Sequence, residues 1–446
     1  MSSVDTICAI ASGIGQAGVG VIRVSGPLAL RIAKKMLGYK PKPRFAHYGS
    51  FINKDSEVID KGVALFFPAP NSFTGEDVFE IQGHGGSEVM RSLLDTAIVN
   101  GAIVANPGDF SKRAFLNGKM DLVQAEAIAD LISANSKQSA RSALRSLSGE
   151  FSKQVNLLTK LITELRVFVE ATIDFSEEEI DFLESSQVND RLINIEKEIA
   201  SILATAKKGA ILREGLFIVI AGKPNAGKSS LLNALTLQSS AIVTDEAGTT
   251  RDVLRETIHI NGAPLNIIDT AGLHLSDNKI EKEGIKRAHV EIEKADLVIV
   301  VFDAQDIKAD LSILPTGVQD KPILLVKNKV DLTNEPIAKT QELGQVQLAL
   351  SAKDGAGIDL LRKELERISG LNDLGENVVL ARKRHIIALE LALTYTKNAI
   401  EQLNNGASEL LAEDLRQAGI QLGSITGEFS SDDLLGEIFS SFCIGK

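Results

Sequence analysis

The sequence predicts a multidomain α/β plus α chain: an α/β N-terminal domain, a discontinuous helical domain, and an inserted α/β unit built on a mainly parallel sheet. Three observations predict it. Residues 1–118 mix short β-rich runs, each closed by turn residues, with two helical patterns. Residues 119–212 and 373–446 repeat apolar side chains at helical spacing with few Gly or Pro. Between them, residues 213–372 alternate strand and helix, the signature of a parallel sheet covered on both faces. Two helical stretches flanking one α/β unit read most economically as a single domain carrying an insertion, because domain ends lie close together at a surface.

In the first segment, strands are expected at 6–11, 19–24, 63–67 and 78–82, and helices at 28–37 and 87–100. Arg23 and Glu80 interrupt apolar strands. A charge facing a core is costly unless paired or bound to a ligand, so alternation alone puts both on the solvent face. His84-Gly85-Gly86 faintly resembles an esterase oxyanion loop, but no G-x-S-x-G occurs in the chain, which removes that reading. Helical patterns continue at 143–168 and 188–206. The acidic stretch between them, Asp174 to Asp181, reads as a solvated loop and helix start. The inserted unit predicts strands at 217–221, 265–269, 297–303, 323–328 and 347–350. The last segment predicts helices at 378–404, 407–425 and 432–439.

Composition sets limits. The net charge is −11, with 48 Lys+Arg against 59 Asp+Glu, so RNA would have to be met by local basic patches or through a partner. Trp is absent and aromatics are 4%, which weighs against an aromatic platform for single-stranded RNA. Cys8 and Cys443 form no disulfide framework or metal-ligand cluster, in keeping with a reducing cytoplasm. No apolar run reaches membrane-spanning length, and Asp5 interrupts the region where a signal peptide would be apolar.

The most informative stretch is Gly222-Lys-Pro-Asn225-Ala226-Gly227-Lys228-Ser229. An apolar strand precedes it and a helical pattern follows from Ser230. This is G-x-x-x-x-G-K-S in strand–loop–helix context, a P-loop. Its backbone N–H groups and helix N-terminus suit phosphate oxygens. Lys228 would reach the β- and γ-phosphates, and the Ser229 hydroxyl would hold Mg²⁺. Four further elements follow in the order a guanine-nucleotide switch needs. In Gly248-Thr249-Thr250-Arg-Asp252, a Thr hydroxyl, Thr250 by preference, completes the Mg²⁺ shell only when γ-phosphate is present. In Asp269-Thr270-Ala271-Gly272, Asp269 reaches Mg²⁺ through water and the Gly272 N–H touches γ-phosphate. In Asn328-Lys329-Val330-Asp331, the Asp331 carboxylate can accept both N1–H and the exocyclic amine of guanine. Ser351-Ala352-Lys353 offers backbone N–H to the guanine carbonyl. Together they specify a GTP site of a Ras-like P-loop domain.

Two details concern mechanism. Leu273 stands where Ras-like switches have the Gln that orients water. Glu281 and Glu283 are the carboxylates a short loop downstream, and both also suit a charged helix start. Asn225 can either ligate a monovalent cation against the phosphates or only shape the turn.

These motifs, with Gly20-Val-Ile-Arg-Val-Ser-Gly26, Arg113-Ala-Phe-Leu-Asn117 and the terminal Phe442-Cys-Ile-Gly-Lys446, make the whole chain resemble the MnmE (TrmE) tRNA-modification GTPases. The resemblance implies a homodimer formed through the N-terminal domain. It implies a FAD-dependent partner, MnmG, and a carboxymethylaminomethyl or aminomethyl group added to C5 of the wobble uridine of certain tRNAs. It implies a formyl-tetrahydrofolate contacted by Arg23, Glu80, Lys119 and Lys446, against the solvent-face reading of the first two. It makes Asn225 a K⁺ ligand, aided by backbone groups of Thr244, Glu246 and Thr249, in a nucleotide-contacting run that also includes Asp245 and Ala247. It selects Glu281 to orient water and singles out Cys443. Lys223 and His274 stand where relatives commonly have Arg, and Glu246 where an apolar residue is usual. Two alternatives stand beside this reading: a ribosome-assembly switch GTPase, and a folate-dependent one-carbon transferase with a regulatory GTPase domain.

Overall fold

The computed structural model describes residues 5–13, 15–134, 136–174, 185–237, 255–260, 263–269, 292, 295–306, 309–311, 314, 321–342, 344–369, 379–428, 432–443 and 445. The acidic stretch expected as a loop therefore lies outside the described residues, apart from the backbone of Asp174. Contacts divide the chain into two compact units. One holds Met1–Ser133, Leu144–Ile199 and Ala388–Lys446; the other holds Ala134–Ala143 and Ala200–Ile387.

The first unit carries a six-stranded sheet in the order β3-β4-β5-β2-β1-β6. Its strands are β1 (Ile7–Ile10), β2 (Ala17–Ser25), β3 (His47–Ile52), β4 (Val58–Phe67), β5 (Val78–Gly85) and β6 (Ile103–Val104). All pairings are antiparallel except β1 with β6. Helices α1 (Ala29–Leu37) and α2 (Ser87–Val99) bury Met36, Leu93 and their neighbours with Ile22, Val24, Phe51, Phe79 and Ile81 of the sheet. Cys8 belongs to this core, where burial pushes its thiol up to about 11 and so keeps it protonated.

Alternation along β2 puts Arg23 opposite the Ile22/Val24 face, as the pattern predicts. That opposite face is not open to solvent. Arg23 pairs across the strands with Glu80 in register, and the two side chains are only 18% and 15% exposed. The rings of Phe73 and Phe110 lie against the guanidinium, with centroids 5.2 and 5.8 Å away. Alternation reports which side of a strand a residue occupies, not what later chain segments cover that side.

The helical part of this unit contains α3 (Asp109–Leu116), α4 (Leu122–Ile132) and α6 (Glu150–Asp174). Helix α5 (Lys137–Leu147) lies between α4 and α6 in sequence, and α7 (Ser185–Glu214) follows α6. The single helix expected over 143–168 is in fact two. Gly149 adopts φ +81° and separates α5 from α6. Asp121 caps α4 by accepting the Gln124 N–H, and the Gln124 side chain returns a bond to the Asp121 N–H: a complete capping box.

In the second unit the sheet order is β12-β13-β11-β10-β7-β9-β8. Five strands are parallel: β7 (Leu216–Ala221), β9 (Ala263–Asp269), β10 (Leu297–Asp303), β11 (Ile323–Asn328) and β13 (Gln345–Ala349). They are the five predicted strands. The antiparallel edges β8 (Arg255–Ile260) and β12 (Ala338–Glu342) were not predicted, since their polar, short segments carry little strand signal. Strand β3 escaped for the same reason, and β6 because it is only two residues long. Helices α8 (Lys228–Leu237) and α9 (Ile358–Ile368) join Leu231, Leu235, Leu361 and Leu365 to the core on one side of this sheet.

Among the described residues the remaining helices are α10 (Lys383–Asn404), α11 (Ser408–Thr426) and α12 (Asp432–Ser440). Leu435, Ile438, Phe439 and Phe442 cluster with Leu122 and Ala125 of α4. No helix among the described residues is long and apolar enough to cross a membrane.

Asp121→Ala removes the bond that the carboxylate accepts from the Gln124 N–H and should cost the first unit about 0.5–2 kcal/mol. A lowered denaturant midpoint for that unit, with the nucleotide-binding unit's transition unmoved, is the expected result.

Candidate nucleotide-binding site

Parallel strands put all their carboxyl ends on one side of a sheet, and the loops there make the site. After β7 the chain turns through Gly222 (φ +154°), Asn225 (φ +64°) and Gly227 (φ +90°) before α8 starts. Two of these positions require glycine. A Cβ at Gly222 would lie 2.2 Å from the Val301 carbonyl oxygen, and one at Gly227 would lie 2.2 Å from Asn328 Nδ2. Asn225 tolerates the left-handed conformation better than most residues do, so its turn-shaping role is visible. Helix α8 begins at Lys228, two residues earlier than the pattern suggested, which places Lys228 and Ser229 in the first turn.

Lys228 is 4% exposed, and its ammonium donates to the carbonyl oxygens of Gly222 (2.7 Å) and Lys223 (3.0 Å). The charge is thus held within the loop's own curve. Pro224, Asn225, Gly227, Ser229, Ser230 and Lys329, with Lys228, line an open hollow of about 610 Å³.

The loop after β11 is fastened to the P-loop. The buried Asn328 side chain donates from Nδ2 to the Ala226 carbonyl (2.9 Å) and accepts at Oδ1 from the Ala352 N–H (3.0 Å). Three sequence-distant loops are joined by one carboxamide. Lys329, at φ +66°, forms a 2.7 Å ion pair with Asp303 at the end of β10. The Gln305 backbone N–H, and then Lys329, hold the Asp303 carboxyl below the usual range. Sequence reasoning passed over Asp303, although a carboxylate ending an apolar strand was the available signal. Val330 is buried against Ala304 and Ala349. Asp331 Oδ1 is buried and has no hydrogen-bond partner among the described residues. Such an acceptor costs about 1–3 kcal/mol until a donor reaches it. Ser351 bonds through its hydroxyl to Asp354 (3.1 Å) and through its N–H to Ala356. With the Ala352 N–H also engaged, Lys353 carries the remaining N–H of that turn.

Asp269 ends β9, and only its backbone is described. Thr244, Asp245, Glu246, Ala247, Gly248, Thr249, Thr250, Thr270, Ala271, Gly272, Glu281 and Glu283 lie outside the described residues.

A second cluster lies in the first unit. Arg23 Nε donates to Glu80 (2.8 Å), and its Nη1 donates to the Gly445 carbonyl at 3.4 Å, joining residues 422 positions apart. Beside them Arg113 pairs with Glu76 (2.9 Å), which also accepts from the Ser25 hydroxyl (2.7 Å). Lys119 is exposed and donates to the Pro70 carbonyl. Cys443 is a free, exposed thiol whose carbonyl accepts from Gly108, and Lys446 lies outside the described residues.

Comparison with known proteins decides the family. The profile of the TrmE N-terminus, a GTP-binding protein, matches residues 6–119, and that of the MnmE helical domain matches residues 122–443. The tRNA modification GTPase MnmE of Ruthia magnifica subsp. Calyptogena magnifica is 68% identical over 445 residues, covering 100% of both chains. The chain belongs to the MnmE family of tRNA modification GTPases. The Hydrogenovibrio crunogenus member of this family is 52% identical, covering 100% of this chain and 99% of its own. Among solved structures, the FeoB G-domain from Methanococcus jannaschii is 29% identical over 35% of this chain and 98% of its own, with a TM-score of 0.27.

Asn328→Ala leaves the Ala226 carbonyl and Ala352 N–H unpaired in a buried place. It should destabilise the nucleotide-binding unit by about 2–4 kcal/mol. It should also weaken GTP affinity at least tenfold by freeing the loops it joins; a fluorescent-nucleotide titration and a melting curve measure the two effects.

Proposed function

We propose that this chain is a K⁺-stimulated GTPase whose hydrolytic cycle drives wobble-uridine modification of certain tRNAs together with the flavoprotein MnmG. Membership of the family makes GTP and Mg²⁺ its substrate and metal. The observation that carries the reading is the unpartnered Asp331 oxygen, aimed from a loop that Asn328 ties to the phosphate loop. A base with two adjacent N–H donors, as guanine has, would satisfy it, while adenine lacks that pair.

On this reading Lys228 turns from its loop carbonyls toward the β- and γ-phosphate oxygens. The hydroxyls of Ser229 and Thr250 would hold Mg²⁺, which supplies positive charge against the phosphates. The donor set suits that ion, which usually keeps few protein ligands beside the phosphates. The Asn225 amide oxygen, on a loop facing the same hollow, would hold K⁺ with backbone groups of Thr244, Glu246 and Thr249, adding charge where another switch uses arginine. Glu281 would accept a hydrogen bond from the attacking water and align it.

The four segments 1–118, 119–212, 213–372 and 373–446 would be a folate-binding dimerisation domain, the two parts of the helical domain, and the GTPase domain between those parts. Arg23, Glu80, Lys119 and Lys446 would contact the folate. The Arg23–Glu80 pair supports this, because it is largely shielded from water and the Gly445 carbonyl closes over it. The GTPase domains of two protomers would meet when GTP and K⁺ are bound, and the assembly would work in the cytoplasm. Cys443, beside the same end of the chain, would serve the modification step.

Asn225→Ala should abolish the advantage of potassium over sodium in GTP turnover; an unchanged ratio would remove the cation from the mechanism. Nucleosides of tRNA from a deletion strain should lack the C5 aminomethyl-type groups at the wobble uridine. Normal wobble uridines would return the assignment to a ribosome-assembly switch.

A further inference from the structure

The chain's charge is unevenly spread. Its net charge is −11, yet residues 6–54 contain no Asp or Glu and eight Lys or Arg. Six of the eight, from Arg31 to Arg44, are exposed. Arg31 lies in the first turn of α1, Lys34 and Lys35 in its last, and the other three on the loop that leads into the edge strand β3.

The same loop gathers exposed rings. Two of the chain's three tyrosines are on this loop or the start of β3: Tyr39, on the loop, is 44% exposed and Tyr48, on β3, 77%, while Phe45 on the loop is 53% exposed. The rings of Tyr39 and Phe45 both pack against His47, with centroids 5.6 and 5.1 Å apart. Lys42 Nζ lies 5.5 Å from the centre of the Phe45 ring.

The loop is held in place. Its Lys42 N–H donates to His47 Nε2 (2.8 Å), its Arg44 N–H donates to the Phe66 carbonyl (2.8 Å), and the Arg44 guanidinium donates to the Asn71 carbonyl. Rings fixed at a surface lose little freedom on binding, which favours affinity. A low aromatic total is therefore no bar to a local platform.

Resting on the tRNA reading above, we propose that residues 38–48 form an RNA-docking surface. Unpaired bases stack on Tyr39 and Phe45, while Lys40, Lys42 and Arg44 neutralise the flanking phosphates. Every base presents a flat face to such rings, and cations beside them track the backbone. A duplex hides its base faces and would use only the charges. The acid-free stretch gives phosphates a local foothold on a chain whose total charge repels them.

The test is equilibrium binding of a transcribed tRNA to the full chain across a salt series, with and without the flavoprotein. Four proteins are compared: the wild type, Tyr39→Ala/Phe45→Ala, the milder Phe45→Leu, and Lys40→Ala/Lys42→Ala/Arg44→Ala. The denaturant midpoint of the first unit, expected unchanged in each, reports that the mutated unit is folded, and GTP turnover, also expected unchanged, reports on the other unit. The double ring variant should bind about tenfold more weakly, with its salt slope preserved. Phe45→Leu, which keeps an apolar side chain against His47, should show a smaller loss of the same kind. The basic triple variant should flatten the slope of log affinity against log salt by about two, three phosphates at about 0.7 each. Folded variants that bind tRNA as the wild type does would overturn the surface while leaving the tRNA reading intact. A wild type that binds no tRNA in either condition would overturn both. Loss of flavoprotein binding alone would assign the surface to a protein partner instead.

Discussion

The Asn328 carboxamide is the interaction on which the nucleotide site depends. It donates to the P-loop carbonyl of Ala226 and accepts from the N–H of Ala352, at 2.9 and 3.0 Å, from a position only 2% exposed. A buried amide with both ends satisfied is rigid, because either partner left alone would carry a desolvation cost. Phosphate-binding and base-reading loops come from strand ends far apart in sequence. One side chain fixes their separation, and that separation decides whether a ligand can fill both places at once. The glycine at 227 belongs to the same arrangement, since any side chain there would strike the Asn328 amide.

Two charged side chains of the site differ in how their polar atoms are satisfied. Lys228 turns inward onto its own loop carbonyls, and Asp331 keeps a buried oxygen without a partner among the described residues. The lysine has both of those bonds at 2.7 and 3.0 Å. The aspartate can only gain. Only the aspartate carries a desolvation cost that an N–H donor would remove; the lysine's bonds are favourable where they are. Asp303 beneath Lys329 serves the same frame, as its carboxylate steadies a lysine held in the left-handed region.

In the first unit, Arg23 and Glu80 show how a charge can sit inside an apolar strand. They neutralise each other in register, with aromatic rings and the Gly445 carbonyl around them. The helix cluster of Leu122, Leu435, Phe439 and Phe442 brings the chain's last residues to this place. A free exposed thiol, Cys443, arrives with them.

Much of this was legible in the sequence. The five parallel strands, the helix after the P-loop and the strand-end placement of Asn328 and Asp269 follow from apolar runs bounded by turn residues, a signal local to a few positions. The edge strands β8 and β12 were not legible, because a polar edge strand is stabilised by the neighbour it pairs with rather than by its own composition. The division between α5 and α6 turned on one glycine that the helical period overran. By itself, the sequence determined the kinds of loop, their order and the family, since each is written in residue types at fixed short spacing. Only the tertiary structure decided that Asn328 spans two other loops and that Arg23 faces Glu80 and Gly445 instead of water. Those are contacts between positions up to 422 residues apart, set by strand register and packing, and no local pattern encodes them.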